Sequence, residues 1–364
     1  MSGPLGYNVR VHDRWDASDP VWREIARQGG ATPFQTPGFL DAWYASYGAR
    51  GGVTPVIVEV MRGREPAMLL PLALSDGVIR FADAGISDNN APIAGPALPA
   101  PTDMRALWPS IRRALPGAAM LHFEKQPETV AGRANPLLAI ATARPSPLSA
   151  HPLETGDSFE DYSRSRTTKF RKEQERVWRV FTRTDGARFD LVEDRETALK
   201  ILADMDRLQG ERMTELGIDA QVGEATYTAH YRHLVQHAIG RDAVLGALTC
   251  NGETVGALLG VSNGTTVTFV RLAHAGGEWS TSSPGRLVIE QTMMALHAKG
   301  LRRFDFSVGD YAYKENFRIG HAPLFDTAVA LSLAGKMKAA RINLRAALRT
   351  SPLVRRLMGK KADV

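Results

Sequence analysis

The side chains with the clearest chemical capacity lie close together in the last third of the chain. Asp305, Asp310, Tyr313 and Lys314 fall in one short run, and Ser282, Ser283, Pro284, Gly285 and Arg286 precede it. A carboxylate takes a proton and a phenol gives one, so Asp310 and Tyr313 form a candidate acid–base pair. The ammonium of Lys314 suits a phosphate or carboxylate. Asp305 alternates with Phe304 and Phe306, which points it towards an open cleft. The run Ser282–Arg286 reads as a helix start. Proline fits the first turn, and Ser282 or Ser283 can cap it. The free N–H groups and positive dipole end of such a turn attract an anion, Gly285 permits close approach, and Arg286 adds charge. The alternative is a well-capped helix and nothing more.

These residues need elements to hold them. Asn251-Gly252 and Asn263-Gly264 predict two type I′ hairpin turns, which fix 244–250, 254–262 and 266–273 as an antiparallel meander. Gly256 and Gly260 in the central strand predict a close approach or a bend. An apolar helical run follows from Pro284 to Lys299, Gly300 stops it, and 304–307 reads as one more strand. Upstream, Ser158 is an N-cap for a basic helix over 164–179. Lys169 and Lys172 belong to that helix and read either as a solvated face or as a surface for an anionic ligand. A strand at 189–192 and helices at 194–210 and 226–239 complete this half. His233 and His237 stand at i, i+4 but lack a third ligand, so they read as structural. No base is identifiable for Cys250, so it does not read as a nucleophile.

The first half has the same rough order with different residues. Helices at 20–30 and 39–47 precede strands at 53–60, 67–74 and 78–82. A helix at 104–115 and strands at 120–123 and 137–143 follow. A structural duplication is the expectation. The proline-containing run 143–152 reads as the linker, dividing the chain into units 1–150 and 151–330 with a basic amphipathic helical tail over 331–364.

Composition agrees with a soluble, mixed α/β (α+β) protein. At 364 residues the chain exceeds one ordinary core. A single cysteine excludes disulfides and multi-cysteine metal sites, and no metal is expected. No apolar run is of spanning length and no secretory signal is visible, so the expected location is cytoplasmic. Of the net charge of +6, the tail supplies nine basic residues against Asp363 alone, so the body is slightly acidic. Nucleic-acid binding by the body is therefore not expected, whereas the tail suits peripheral contact with an anionic membrane.

A meander, a helix and then a parallel strand resembles the core of the Gcn5-related N-acetyltransferases. The run 282–317, with Gly300, Phe304, Asp305, Phe306, Gly309, Asp310, Tyr313, Lys314 and Phe317, resembles the acetyltransferase family associated with cellulose biosynthesis (CelD-like), related to the FemABX transferases. The resemblance implies two tandem acetyltransferase-like domains, each a mostly antiparallel sheet flanked by helices, with the site in the second. It implies acetyl-coenzyme A or another acyl-coenzyme A as co-substrate. The pyrophosphate would lie at Ser282, Ser283, Gly285 and Arg286, and the pantetheine between strands that part near Leu272 and Ala273. Asp310 would bind or deprotonate an acceptor amine and Tyr313 would protonate the leaving thiolate. Arg212, Asp305, Lys314, Lys169 and Lys172 would contact substrates. Glu211-Arg212 stands where relatives carry an Arg-Trp pair, with Met213 replacing the aromatic. The acceptor would be a small molecule or a saccharide, possible members being sugar or cell-envelope precursors. Two other readings are a FemABX-type ligase using aminoacyl-tRNA and a non-catalytic binding protein on the same scaffold. The absence of a long heptad arm counts against the former.

Overall fold

The computed structural model describes residues 4–16, 18–217 and 224–350. The first half runs β1 (Tyr7–His12), α1 (Pro20–Ile25), α2 (Pro37–Ser46), the meander β2 (Val53–Arg62), β3 (Glu65–Ser75) and β4 (Val78–Phe81), then α3 (Pro101–Ala114) and β5 (Met120–Pro127). The chain then crosses over through β6 (Arg144–Ala150) and β7 (Pro152–Glu154) to α4 (Phe159–Ser165) and α5 (Thr168–Thr182). The second half repeats the first as β8 (Ala187–Val192), α6 (Arg195–Leu216), α7 (Ala225–Ala238), β9 (Ala243–Cys250), β10 (Glu253–Ser262), β11 (Thr266–His274), α8 (Pro284–Ala298) and β12 (Arg303–Asp305). The chain continues through α9 (Ala312–Glu315), β13 (Ala322–Ala330) and α10 (Leu333–Thr350). In each half the last strand lies parallel to the third meander strand, β5 on β4 and β12 on β11. The duplication expected from the element order is thus present in the topology.

The first sheet takes one strand from the end of the second unit. The first has the order β1-β2-β3-β4-β5-β13-β6 and the second β7-β12-β11-β10-β9-β8. Strand β13, assigned from the sequence to the second unit, hydrogen-bonds in the first sheet between β5 and β6. Strand β7, next to the first half in sequence, pairs with β12 of the second. Helices α1, α2, α6 and α7 pack between the sheets, and their apolar faces meet Ile57 and Leu69 on one side and Leu245 and Leu259 on the other. Two outer cores lie under α3 and under α5 and α8.

Four local expectations differ from the structure. The run 143–152 is two strands rather than a linker. Pro145 and Pro147 are tolerated because β6 is the sheet edge, where a missing N–H costs no ladder bond. Residues 137–143 form no strand, because Asn135 caps a short 3₁₀ turn over Pro136–Ala139. The basic helix breaks at Arg166, whose guanidinium is buried against Glu290, and Thr167 caps a fresh start by accepting from Phe170 N. Asn251 and Gly252 both have positive φ, as type I′ requires, but the second turn holds three residues and only Gly264 has positive φ. There the Asn263 side chain accepts from the Thr265 and Thr266 amides and donates to Ala31 O, which fixes a different turn.

The tail beyond residue 350 lies outside the described residues. Where it begins, Leu333 and Met337 stand exposed on α10. Among the described residues no helix is long and apolar enough to cross a membrane.

Candidate active site

Strands β11 and β12 pair only over Thr266–Thr268 and Arg303–Asp305. Beyond that they part, because β11 continues while the chain after Asp305 turns away. At Ser307 the backbone enters the left-handed region with φ 65°. A cleft of about 330 Å³ opens between them. One wall is Phe269 to Leu272 of β11, and the other is Phe306, Ser307, Val308 and the α9 segment with Tyr311, Tyr313 and Lys314. Gln209 of α6 and Ile289 of α8 also line it, so the opening reaches the layers on both faces of the sheet. A register shift against β10 leaves Val270 without a cross-strand partner. Such a bulge re-aims the backbone beside the cleft, and it falls opposite Gly260, one of the two glycines where the sequence predicts a close approach or a bend.

The turn after β12 is held from inside by Lys314. Its Nζ donates to the carbonyls of Ser307, Val308 and Gly309 at 3.0, 3.0 and 2.7 Å. An ammonium has three donors, so this arrangement uses the capacity that the sequence reading had reserved for a ligand. Burial pushes the Lys314 pKa down. Asp305 does not project into the cleft. It is buried, and its Oδ1 accepts from Ser307 N at 2.7 Å and His151 N at 3.4 Å. Burial raises its pKa. Ser307 Oγ donates to Asp88, which comes from the first half, and burial raises the pKa of that carboxyl too.

The two candidate catalytic residues lie in different surroundings. Tyr313 lines the cleft, and burial pushes its phenol up to about 12. Asp310 is not among the cleft-lining residues. Its side chain is 89% exposed and meets His151 Nε2 at 3.2 Å on the β7 side of β12. His151 is wholly buried, with Nδ1 2.6 Å from Ser307 O. Sequence reasoning passed over His151 because it sits in the proline-containing run read as linker.

At the helix start, Ser283 occupies the N-cap position, but φ 46° and ψ 55° keep its hydroxyl from capping. An N-cap side chain reaches the first-turn amides from an extended backbone. Instead Ser283 Oγ accepts from Arg286, and Ser282 Oγ donates to Trp279 O. Gly285 is buried beside His274, whose Cδ2 would lie 2.8 Å from an added Cβ. Arg176 of α5 reaches Thr281 O next to this turn, and Lys169 and Lys172 lie exposed on the same helix. Leu272 lines the cleft, whereas Ala273 is buried in the core shared by the halves. Arg212 is exposed on α6 and paired with Glu215, away from the cleft. Arg271, which the sequence did not single out, is buried in the cleft wall. Its guanidinium bonds Gln209 and Asp206 and lies over the rings of Tyr227 and Tyr231.

Residues 168–315 match the family model described as the acetyltransferase (GNAT) domain. The matched range holds the meander, α8, β12 and α9, and therefore the whole cleft. No curated protein matches the chain. Among solved structures, FemX superposes with a TM-score of 0.61 at 10% identity, over 87% of this chain and 96% of FemX. A tandem GNAT protein from the clavulanic acid biosynthesis pathway gives 0.50 at 13% identity, over 89% and 98%. L-PGS from Bacillus licheniformis gives 0.50 at 11% identity, over 88% and 95%. At these identities the likeness is one of fold: two acetyltransferase-like units in tandem.

Proposed function

We propose that this chain is an acyltransferase that moves an acyl group, acetyl in the simplest case, from coenzyme A to an amine. The observation that carries the reading is the parting of β11 and β12, which leaves a cleft through the sheet with Tyr313 on its wall. A thioester arm threaded there would bring its carbonyl beside the Val270 bulge. Attack by the amine forms the C–N bond and puts negative charge on the carbonyl oxygen, which backbone N–H groups can stabilise. Collapse breaks the C–S bond, the Tyr313 phenol protonates the departing thiolate, and the proton lost by the acylated nitrogen passes through solvent to restore the phenol. Among the described residues the cleft wall carries Arg271 and Lys314 and no carboxylate, so the amine enters as its free base. The phosphates of the donor would meet the start of α8 and the basic side of α5. The resemblance to the cellulose-biosynthesis-associated family supports a saccharide or cell-envelope precursor as acceptor, with recognition shared by the first half through Asp88.

The test is a thermal-shift titration with acetyl-coenzyme A, followed by a thiol-release assay over a panel of amine and hydroxyl acceptors. Saturable stabilisation and acceptor-dependent thiol release are expected. Absence of any shift with acetyl- and longer acyl-coenzyme A would overturn the donor assignment, and transfer from aminoacyl-tRNA in its place would establish the ligase reading.

A further inference from the structure

His151, Asp310 and His321 offer three ligand atoms that all lie within 4.8 Å of one another. We propose that they form a binding site for a divalent transition metal of the zinc type, at the seam between the two sheets and outside the cleft. His151 follows Ala150 where the chain passes from β6 to β7, and His321 precedes Ala322 where it enters β13. Ala150 and Ala322 are register partners, so the two crossings bring both imidazoles to one place. Their rings lie edge to face at 5.0 Å. Asp310 comes from the turn after β12.

The protonation geometry of His151 supplies the physical argument. At 2.6 Å, Nδ1 must donate to Ser307 O, since a carbonyl only accepts. His151 Nε2 and the Asp310 carboxylate lie 3.2 Å apart, with Nε2 turned away from the carbonyl that holds Nδ1. A metal-ligating histidine characteristically donates its other N–H to a carbonyl or carboxylate in this way, which fixes the tautomer and aims the lone pair. Two imidazoles and a carboxylate suit zinc and leave a fourth position open.

Bonds of about 2.1 Å place tetrahedral ligand atoms roughly 3.4 Å apart, so the set must close by up to about 1.4 Å. His151 is fixed. Asp310 and His321 are 89% and 55% exposed and free to turn. His321 must leave Glu315, an exposed partner at 3.3 Å whose loss costs little. The cationic group facing the site is Lys314, with Nζ 3.4 Å from His151 Nδ1, and its charge is spread over three carbonyls. The Asp305, Asp88 and Asp310 carboxylates oppose its charge.

The experiment is calorimetric titration of the full chain with Zn²⁺, with Co²⁺ absorption as a second probe of coordination. One ion per chain is expected, accompanied by a rise in Tm. His321→Ala and Asp310→Asn, both at exposed positions, should each weaken binding by about tenfold or more. His237→Ala, in the other close histidine pair, should leave it unchanged. No binding up to millimolar Zn²⁺, or binding that follows His237→Ala instead, would overturn the proposal. These readouts are independent of acyl transfer.

Discussion

Replacing Tyr313 with Phe removes one oxygen from the cleft wall and leaves the ring in place. The hydroxyl has no hydrogen-bond partner among the described residues, and the side chain is held by packing beside Tyr311. The stability cost should therefore stay below about 1 kcal/mol. The catalytic cost should be much larger. A positioned general acid contributes about 10²–10⁴ in rate, or roughly 3–5 kcal/mol of barrier. Burial pushes this phenol up to about 12, so it keeps its proton throughout the working range, and activity should rise with pH only as the acceptor amine loses its own proton. The sign for stability is the reverse. The phenolate is favoured in the unfolded chain, so stability should fall as pH climbs from about 10 towards 12, and Tyr313→Phe should flatten that fall. The assay is steady-state thiol release with acetyl-coenzyme A and a reactive acceptor, together with a thermal-shift affinity for the donor. A kcat reduced a hundredfold or more with donor affinity unchanged is the expected result. A kcat within about threefold of the parent would refute proton donation by Tyr313. A large loss of Tm would show that the residue acts through packing.

Other residues allow equally direct tests. An added Cβ at Gly246 would lie 1.9 Å from Thr292 Oγ1, where β9 meets α8, so Gly246→Ala should destabilise by about 1–3 kcal/mol. Thr292 Oγ1 is buried without a hydrogen-bond partner among the described residues, so adding Thr292→Ala should recover most of that loss in a denaturant titration. Burial raises the Asp305 pKa, so its ionisation opposes folding, and stability should decline as pH rises from the ordinary carboxylate range through the raised value. Asp305→Asn keeps an acceptor for Ser307 N and should make that decline shallower by urea unfolding. Because β13 of the second unit fills the first sheet between β5 and β6, fragments 1–150 and 151–364 should be insoluble when expressed separately and co-purify when expressed together. Two independently soluble fragments would contradict this topology.

The amino-acid sequence by itself determined the elements and their order. Asn251-Gly252 fixed a tight turn because both positions need positive φ. Pro284 opened α8, and Gly300 stopped it. These signals are local, and together they were enough for the fold class and for the duplication. Pairing across the chain decided the rest. Which strands neighbour β5 and β12 depends on two crossings far apart in sequence, and Pro145 and Pro147 read as linker until an edge position made them harmless. Lys314 read as a ligand seat until the turn folded three carbonyls around it. His151 carried no periodic or motif signal, since its role arises from the distance to Ser307 and Asp310 once β7 pairs with β12. Spacing along a chain reports which side chains share a helix face or strand. Contacts between Ala150 and Ala322, or between Asp88 and Ser307, form only when the whole core closes, and at this site they set where each charge and proton resides.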